Sequence, residues 1–170
     1  MLMTQVSTAR PPLFQRPQQH KRRRERFSAV LASLLCAAPA VLSAPTAAQT
    51  VQVTYDQTYD VASNSLAIVA CSNGANGLLT KGTIHYLRVA PDFPFIGGAQ
   101  AVAGWNSPNC GTCWQLQYGN TTINVLAVDH AGSGFNIGLD AMNKLTNNHA
   151  VELGVVQVAS KQVAASVCGL

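Results

Sequence analysis

The residues whose types and spacing can do chemistry are Cys110-Gly111-Thr112-Cys113 and, sixteen positions after the second cysteine, Asp129-His130. Two cysteines two residues apart fit a redox pair, half of a zinc site or two disulfide anchors. They close the stretch Gly104-Trp105-Asn106-Ser107-Pro108-Asn109-Cys110-Gly111-Thr112-Cys113-Trp114, which holds both tryptophans of the 170-residue chain. Asp129 stands where the apolar run Val125-Leu126-Ala127-Val128 breaks into Ala131-Gly132-Ser133-Gly134. An acid at such a place either caps neighbouring amides or faces a ligand. Compartment and fold decide among these chemistries.

The compartment is read from the beginning of the chain. Lys21-Arg22-Arg23-Arg24-Glu25-Arg26 precedes an apolar run from Phe27 to about Leu42, followed by Ser43-Ala44-Pro45-Thr46-Ala47-Ala48. A basic segment, a short apolar segment and small residues form a secretory signal. The run contains Pro39 and is short for a membrane span. Residues 1–48 therefore read as a basic extension and signal peptide removed on secretion, with cleavage between Ser43 and Gln49. Residues 49–170 read as a single domain with no membrane contact after processing.

Removing the leader reverses the charge. The whole chain is formally +4, but seven of its eleven Lys and Arg precede residue 27. From Gln49 onward, Lys81, Arg88, Lys144 and Lys161 face Asp56, Asp60, Asp92, Asp129, Asp140 and Glu152, a formal charge of −2. A nucleic-acid surface needs clustered cations on the folded domain, so no nucleic-acid partner is expected. Four cysteines remain: Cys71, Cys110, Cys113 and Cys168. In a secreted chain an even number reads as disulfides. Cys110 and Cys113 would close a very small ring together, so each reaches toward Cys71 or Cys168. The histidines are scattered, and neither a metal nor a cofactor is expected.

The elements that must position these residues are mostly strands. Val51 to Tyr55 alternates and opens the domain. Leu66 to Ala70 reads as a short strand, and Gly74 and Gly77 as turn glycines with positive φ. Ala90 to Gly98 reads as a long loop. Trp114–Tyr118, Gly119-Asn120 and Thr121–Val128 form a hairpin with a tight turn. The second of these strands is apolar on both faces and belongs in the middle of a barrel or sandwich. A helix is expected from Phe135 or Gly138 to about Leu145, stopped by Asn147-Asn148. Val155 to Val158 is the last strand. Trp105, Trp114, Tyr55 and Tyr59 are expected in the core. Asn120-Thr121-Thr122 is a glycosylation sequon at the hairpin tip.

Several motifs fall in one order: Val53-Thr54-Tyr55-Asp56, Cys71-Ser72-Asn73-Gly74, the Gly104–Trp114 block, Val128-Asp129 and Gly134-Phe135-Asn136-Ile137. Together they resemble the cerato-platanin family of small secreted fungal proteins, over essentially all of residues 49–170. The resemblance implies a mainly β fold, a six-stranded double-psi β-barrel related to the first domain of expansins, to barwin and to some endoglucanases, with one or two short helices. It implies the disulfides Cys71–Cys110 and Cys113–Cys168. It implies a monomer of the extracellular space and cell wall that binds chitin or N-acetylglucosamine oligomers or other β-1,4-linked wall polysaccharide. Non-hydrolytic, expansin-like loosening and elicitation of plant defence through a plant receptor are further implications. Asp129, His130, Ser63, Asn64, Ser65 and Asn136 are then the expected carbohydrate contacts. Hydrolysis would need two carboxyls roughly 5–5.5 or 6.5–9.5 Å apart. None of the other acids has a spacing that sets it opposite Asp129. A weak endo-acting enzyme, and a structural or surface-active wall protein without sugar specificity, are the competing readings.

Overall fold

A computed structural model describes residues 47–82 and 85–170, so all but the last two residues of the expected leader lie outside it. Among the described residues six strands form: β1 (Gln49–Tyr55), β2 (Ile96–Ala99), β3 (Cys113–Tyr118), β4 (Thr121–His130), β5 (Phe135–Ile137) and β6 (Val156–Val163). They close into a barrel in the order β1-β5-β2-β4-β3-β6, with β6 returning to β1. The pairs β1–β5 and β2–β4 are parallel, and the other four are antiparallel. Closure leaves no free sheet edge, the usual liability of a small β protein.

The two-faced β4 explains the architecture. Ile123, Val125 and Ala127 share one face and Leu126 and Val128 the other, and all five are buried. The first set meets Val53, Leu116, Val156 and Val158 from neighbouring strands in one continuous core. Leu126 and Val128 belong to the same core, and helix α1 (Leu139–Leu145) packs against β4. Each fully buried Leu, Val or Ile contributes about 1.5–3 kcal/mol relative to exposure. A second helix, α2 (Ala150–Leu153), follows the positive-φ pair Asn147-Asn148 that ends α1. Two disulfides brace the loops, Cys71–Cys110 with Cα atoms 5.3 Å apart and Cys113–Cys168 at 5.7 Å.

Three local expectations are corrected, and a fourth, the helix start placed at Phe135 or Gly138, is decided for Gly138. Residues 66–70 are not a strand; Leu66–Ile68 is a 3-10 turn capped by Ser65 Oγ, which accepts from Ala67 N at 3.1 Å. Leu66 and Val69 are buried while Ile68 is exposed, a spacing of three that alternation does not produce. The expected loop 90–98 contains part of β2. Its glycines let β4 and β5 close in from both sides: a Cβ on Gly98 would lie 2.7 Å from His130 O, and one on Gly97 would strike Asn136 O. Gly77 does not have positive φ, although Gly74 does; Gly77 is needed because a Cβ there would collide with the Asn73 backbone. Phe135–Ile137 is strand β5, and α1 starts only after Gly138.

The tryptophans also depart from expectation. Trp105 is 65% exposed, and Trp114 is only partly buried, its ring edge-on to Phe135 with centroids 5.5 Å apart. Tyr59 is in the core as expected, and Tyr55 packs against it partly buried. Asn120 is exposed at the β3–β4 turn.

Candidate functional site around Asp129

Asp129 is the penultimate residue of β4, so the barrel fixes its backbone. Its Oδ1 accepts from Ala70 N and from His130 N, both at 2.8 Å. Its Oδ2 accepts from the Tyr59 hydroxyl at 3.1 Å. A carboxylate offers about four acceptor positions, so three are filled from within the chain. Tyr59 is delivered by a 3-10 turn, Gln57–Asp60, whose start is capped by Asp56 Oδ1 accepting from Thr58 N at 2.8 Å. Burial pushes the Tyr59 pKa well above that of an ordinary tyrosine, and the negative charges of Asp129 and Asp56 and the hydrogen bond to Asp129 push the same way. The phenol therefore stays a donor.

Gly98 of β2 lies between Asp129 of β4 and Asn136 of β5 as the register partner of both. With strands about 4.8 Å apart, Asn136 and Asp129 stand about 10 Å apart across a position that carries no side chain. Thr54 Oγ1 of β1 donates to Asn136 Oδ1 at 3.1 Å, which leaves the amide hydrogens of Asn136 as donors. His130 is exposed, with Nδ1 directed at the Val102 carbonyl oxygen. A carbonyl only accepts, so Nδ1 is the donor in this contact.

The expected contacts are thus gathered unequally. Asp129, His130 and Asn136 share one end of the barrel. The loop of Ser63, Asn64 and Ser65 joins them through the Tyr59 turn, where Asn64 Nδ2 donates to Thr58 O at 2.9 Å. Ser65 is spent on its cap, and Ser63 is exposed. Two of the other acids have other work. Asp60 caps α1, accepting from Leu139 N at 2.6 Å and Asp140 N at 3.0 Å. Glu152 pairs with His149 at 2.9 Å. Among the described residues no group of three or more His, Cys, Asp or Glu is placed to hold a metal ion, and no helix is long and apolar enough to cross a membrane. A separate cleft of about 320 Å³ opens at the barrel mouth, lined by Gln49, Val51, Gln100, Trp114 and Phe135 among others. Sequence reasoning missed Tyr59 and the Ala70 amide as partners of Asp129, and it missed this cleft.

The sequence model of the family described as Cerato-platanin matches residues 51–170, from β1 to the end of the chain. The chain belongs to the cerato-platanin family. Allergen Asp f 15 of Aspergillus fumigatus is 51% identical over 118 residues, covering 69% of this chain and 76% of that protein. Among solved structures, cerato-platanin 2 from M. perniciosa superposes with a TM-score of 0.69 at 47% identity, covering 72% of this chain and all of that one. The fungal elicitor Cerato-Platanin, solved in solution, gives a TM-score of 0.62 at 39% identity and covers 69% of this chain and 95% of its own. The closed six-stranded barrel, the short helices and the two disulfides accord with this cerato-platanin membership.

Proposed function

We propose that this cerato-platanin is a secreted, wall-directed protein that binds chitin or other β-1,4-linked polysaccharide and loosens it without cleaving bonds. The observation that carries the reading is the pairing of Asp129 with Asn136 across Gly98. That arrangement offers a fixed acceptor and an amide donor on neighbouring strands, with only the backbone of Gly98 between them. Sugar hydroxyls meet both needs, and hydrogen bonds to a charged acceptor are stronger than neutral ones. Hydrolysis would need a second carboxyl at a set distance, and the residue facing Asp129 is an asparagine. Separating polysaccharide strands needs only reversible replacement of strand-to-strand hydrogen bonds, which fixed polar groups supply. Plant-defence elicitation through a host receptor is part of the proposal, supported by the elicitor named among the similar structures.

The test is a titration of the mature protein with chitin and cellulose hexamers, read by per-residue NMR shifts, beside an assay for new reducing ends. Shifts at Asp129, His130 and Asn136 without new reducing ends are expected. Release of reducing ends by the parent protein makes it an endo-acting enzyme. Absence of shifts with every oligomer leaves a structural or surface-active wall protein. Leaf infiltration with the purified protein tests elicitation separately: a defence response is expected, and none would remove that part of the reading.

A further inference from the structure

Two loops leave the Asp129–His130 end of the barrel and meet again at an exposed indole. One starts at Ala70, whose amide bonds Asp129, and reaches Asn73 three residues later. The other passes Val102, whose carbonyl holds His130, and reaches Trp105 three residues later. They join where Trp105 Nε1 donates to Asn73 Oδ1 at 2.6 Å. Three residues span at most about 10 Å, so the indole lies within the reach of a short oligosaccharide bound at Asp129.

The indole is exposed and yet fixed. Trp105 is 65% exposed, while the next residue, Asn106, holds a left-handed backbone with φ of 60°. Asn106 Oδ1 accepts from Asn76 N and Asn106 O accepts from Asn76 Nδ2, both at 2.9 Å. Asn109 Nδ2 donates to Ala101 O at 2.7 Å, and the Cys71–Cys110 disulfide ties the two loops together. The one polar atom of the ring is already satisfied by Asn73. What remains for a ligand is the flat π face, rimmed by uncharged amides.

We propose that Trp105 is a stacking platform for a pyranose ring of the polysaccharide whose neighbouring units occupy the Asp129 groove. The apolar C–H face of a β-linked pyranose covers an indole, while its equatorial hydroxyls reach outward to amides such as Asn73 and Asn76. A membrane anchor would instead want basic residues beside the aromatic, and residues 71–77 and 101–110 contain no charged side chain. This assignment rests on the carbohydrate-binding reading of the Asp129 groove.

The experiment titrates the mature protein and its Trp105→Ala, Trp105→Tyr and Asp129→Asn variants with chitin and cellulose hexamers by calorimetry. Thermal unfolding accompanies each titration. Trp105→Ala is expected to keep the parent's unfolding midpoint and to bind a hexamer about five- to tenfold more weakly, the scale of one aromatic stacking contact. Trp105→Tyr keeps an aromatic face and is expected to bind close to the parent, which also covers any folding defect of the alanine variant. Hexamer binding by Trp105→Ala as tight as the parent's, with Asp129→Asn weakened, overturns the platform and leaves the groove intact. A parent that binds no oligosaccharide overturns both. Loss of affinity for neutral lipid vesicles in place of loss of sugar affinity would identify the indole as a membrane contact and also overturn the proposal.

Discussion

The Tyr59 hydroxyl donates to Asp129 Oδ2 at 3.1 Å across 70 positions of sequence. The bond links the first turn after β1 to the end of β4, so a buried phenol orients the candidate binding carboxylate. Tyr59→Phe keeps the ring in the core and removes the donor. Asp129 Oδ2 is only part-buried, so losing this donor costs about 1 kcal/mol, the scale of one ordinary hydrogen bond. Urea unfolding is expected to show that loss with an unchanged m-value. A variant as stable as the parent would mean that water replaces the phenol at no cost and that Tyr59 does not orient the acid.

Asp129→Asn tests the charge itself. The two backbone N–H donors on Oδ1 can stay on the amide oxygen, and the new NH₂ group can donate to the Tyr59 hydroxyl. The fold should therefore survive, with a loss of about 1 kcal/mol as charge-assisted bonds become neutral ones. Oligosaccharide binding and wall loosening are expected to fall together. A folded Asp129→Asn protein that loosens cellulose paper as well as the parent would remove Asp129 from the mechanism.

The two tryptophans should separate in stability. Trp114 is partly buried against the core, packs on Phe135, and its Nε1 donates to Thr112 Oγ1 at 2.9 Å. Trp114→Ala should cost about 2–3 kcal/mol, less than the about 3–5 of fully buried aromatics. Trp105→Ala should cost under about 1 kcal/mol, since it gives up little more than an exposed hydrogen bond. Chemical denaturation of both variants checks the order, and the reverse order would return Trp105 to the core.

How much of this was legible in the sequence depended on whether the signal was local. The alternation of β1 and the double apolar face of β4 are properties of consecutive residues, and both strands are where periodicity puts them. Asn147-Asn148 stops α1 as read, by adopting positive φ twice in succession. Strand β2 was hidden because Gly97 and Gly98 look like loop until β4 and β5 press against them. Trp105 was misjudged because its exposure follows from the backbone angle of Asn106 and a bond to Asn73, 32 positions away. Asp129 was identifiable as a notable acid, but its partners Tyr59 and Ala70 are distant in sequence and carry no motif.

Asp92 gives a pH-dependent prediction. It sits between Pro91 and Phe93 in the turn leading to β2, and its Oδ2 is buried without a hydrogen-bond partner. Desolvation by burial raises its pKa from the ordinary 3.8 to about 6. The folded protein therefore holds a proton there, between about pH 4 and pH 6, that the unfolded chain has already released. By linkage, stability falls as pH rises wherever the native state binds more protons. Asp92 thus imposes no penalty below about pH 4, a growing one from about pH 4 to 6, and a constant one above. Asp92→Asn keeps the shape and removes the titration. Its unfolding midpoint is expected to match the parent's at pH 3.5, exceed it increasingly up to about pH 6, and stay above it by a fixed margin at pH 7 and 8. Because the comparison is a difference between two proteins, the other carboxylates cancel. A difference that is flat across this range would show that Asp92 ionises in the folded protein as easily as in water, and one that shrinks as pH rises would show that it ionises more easily.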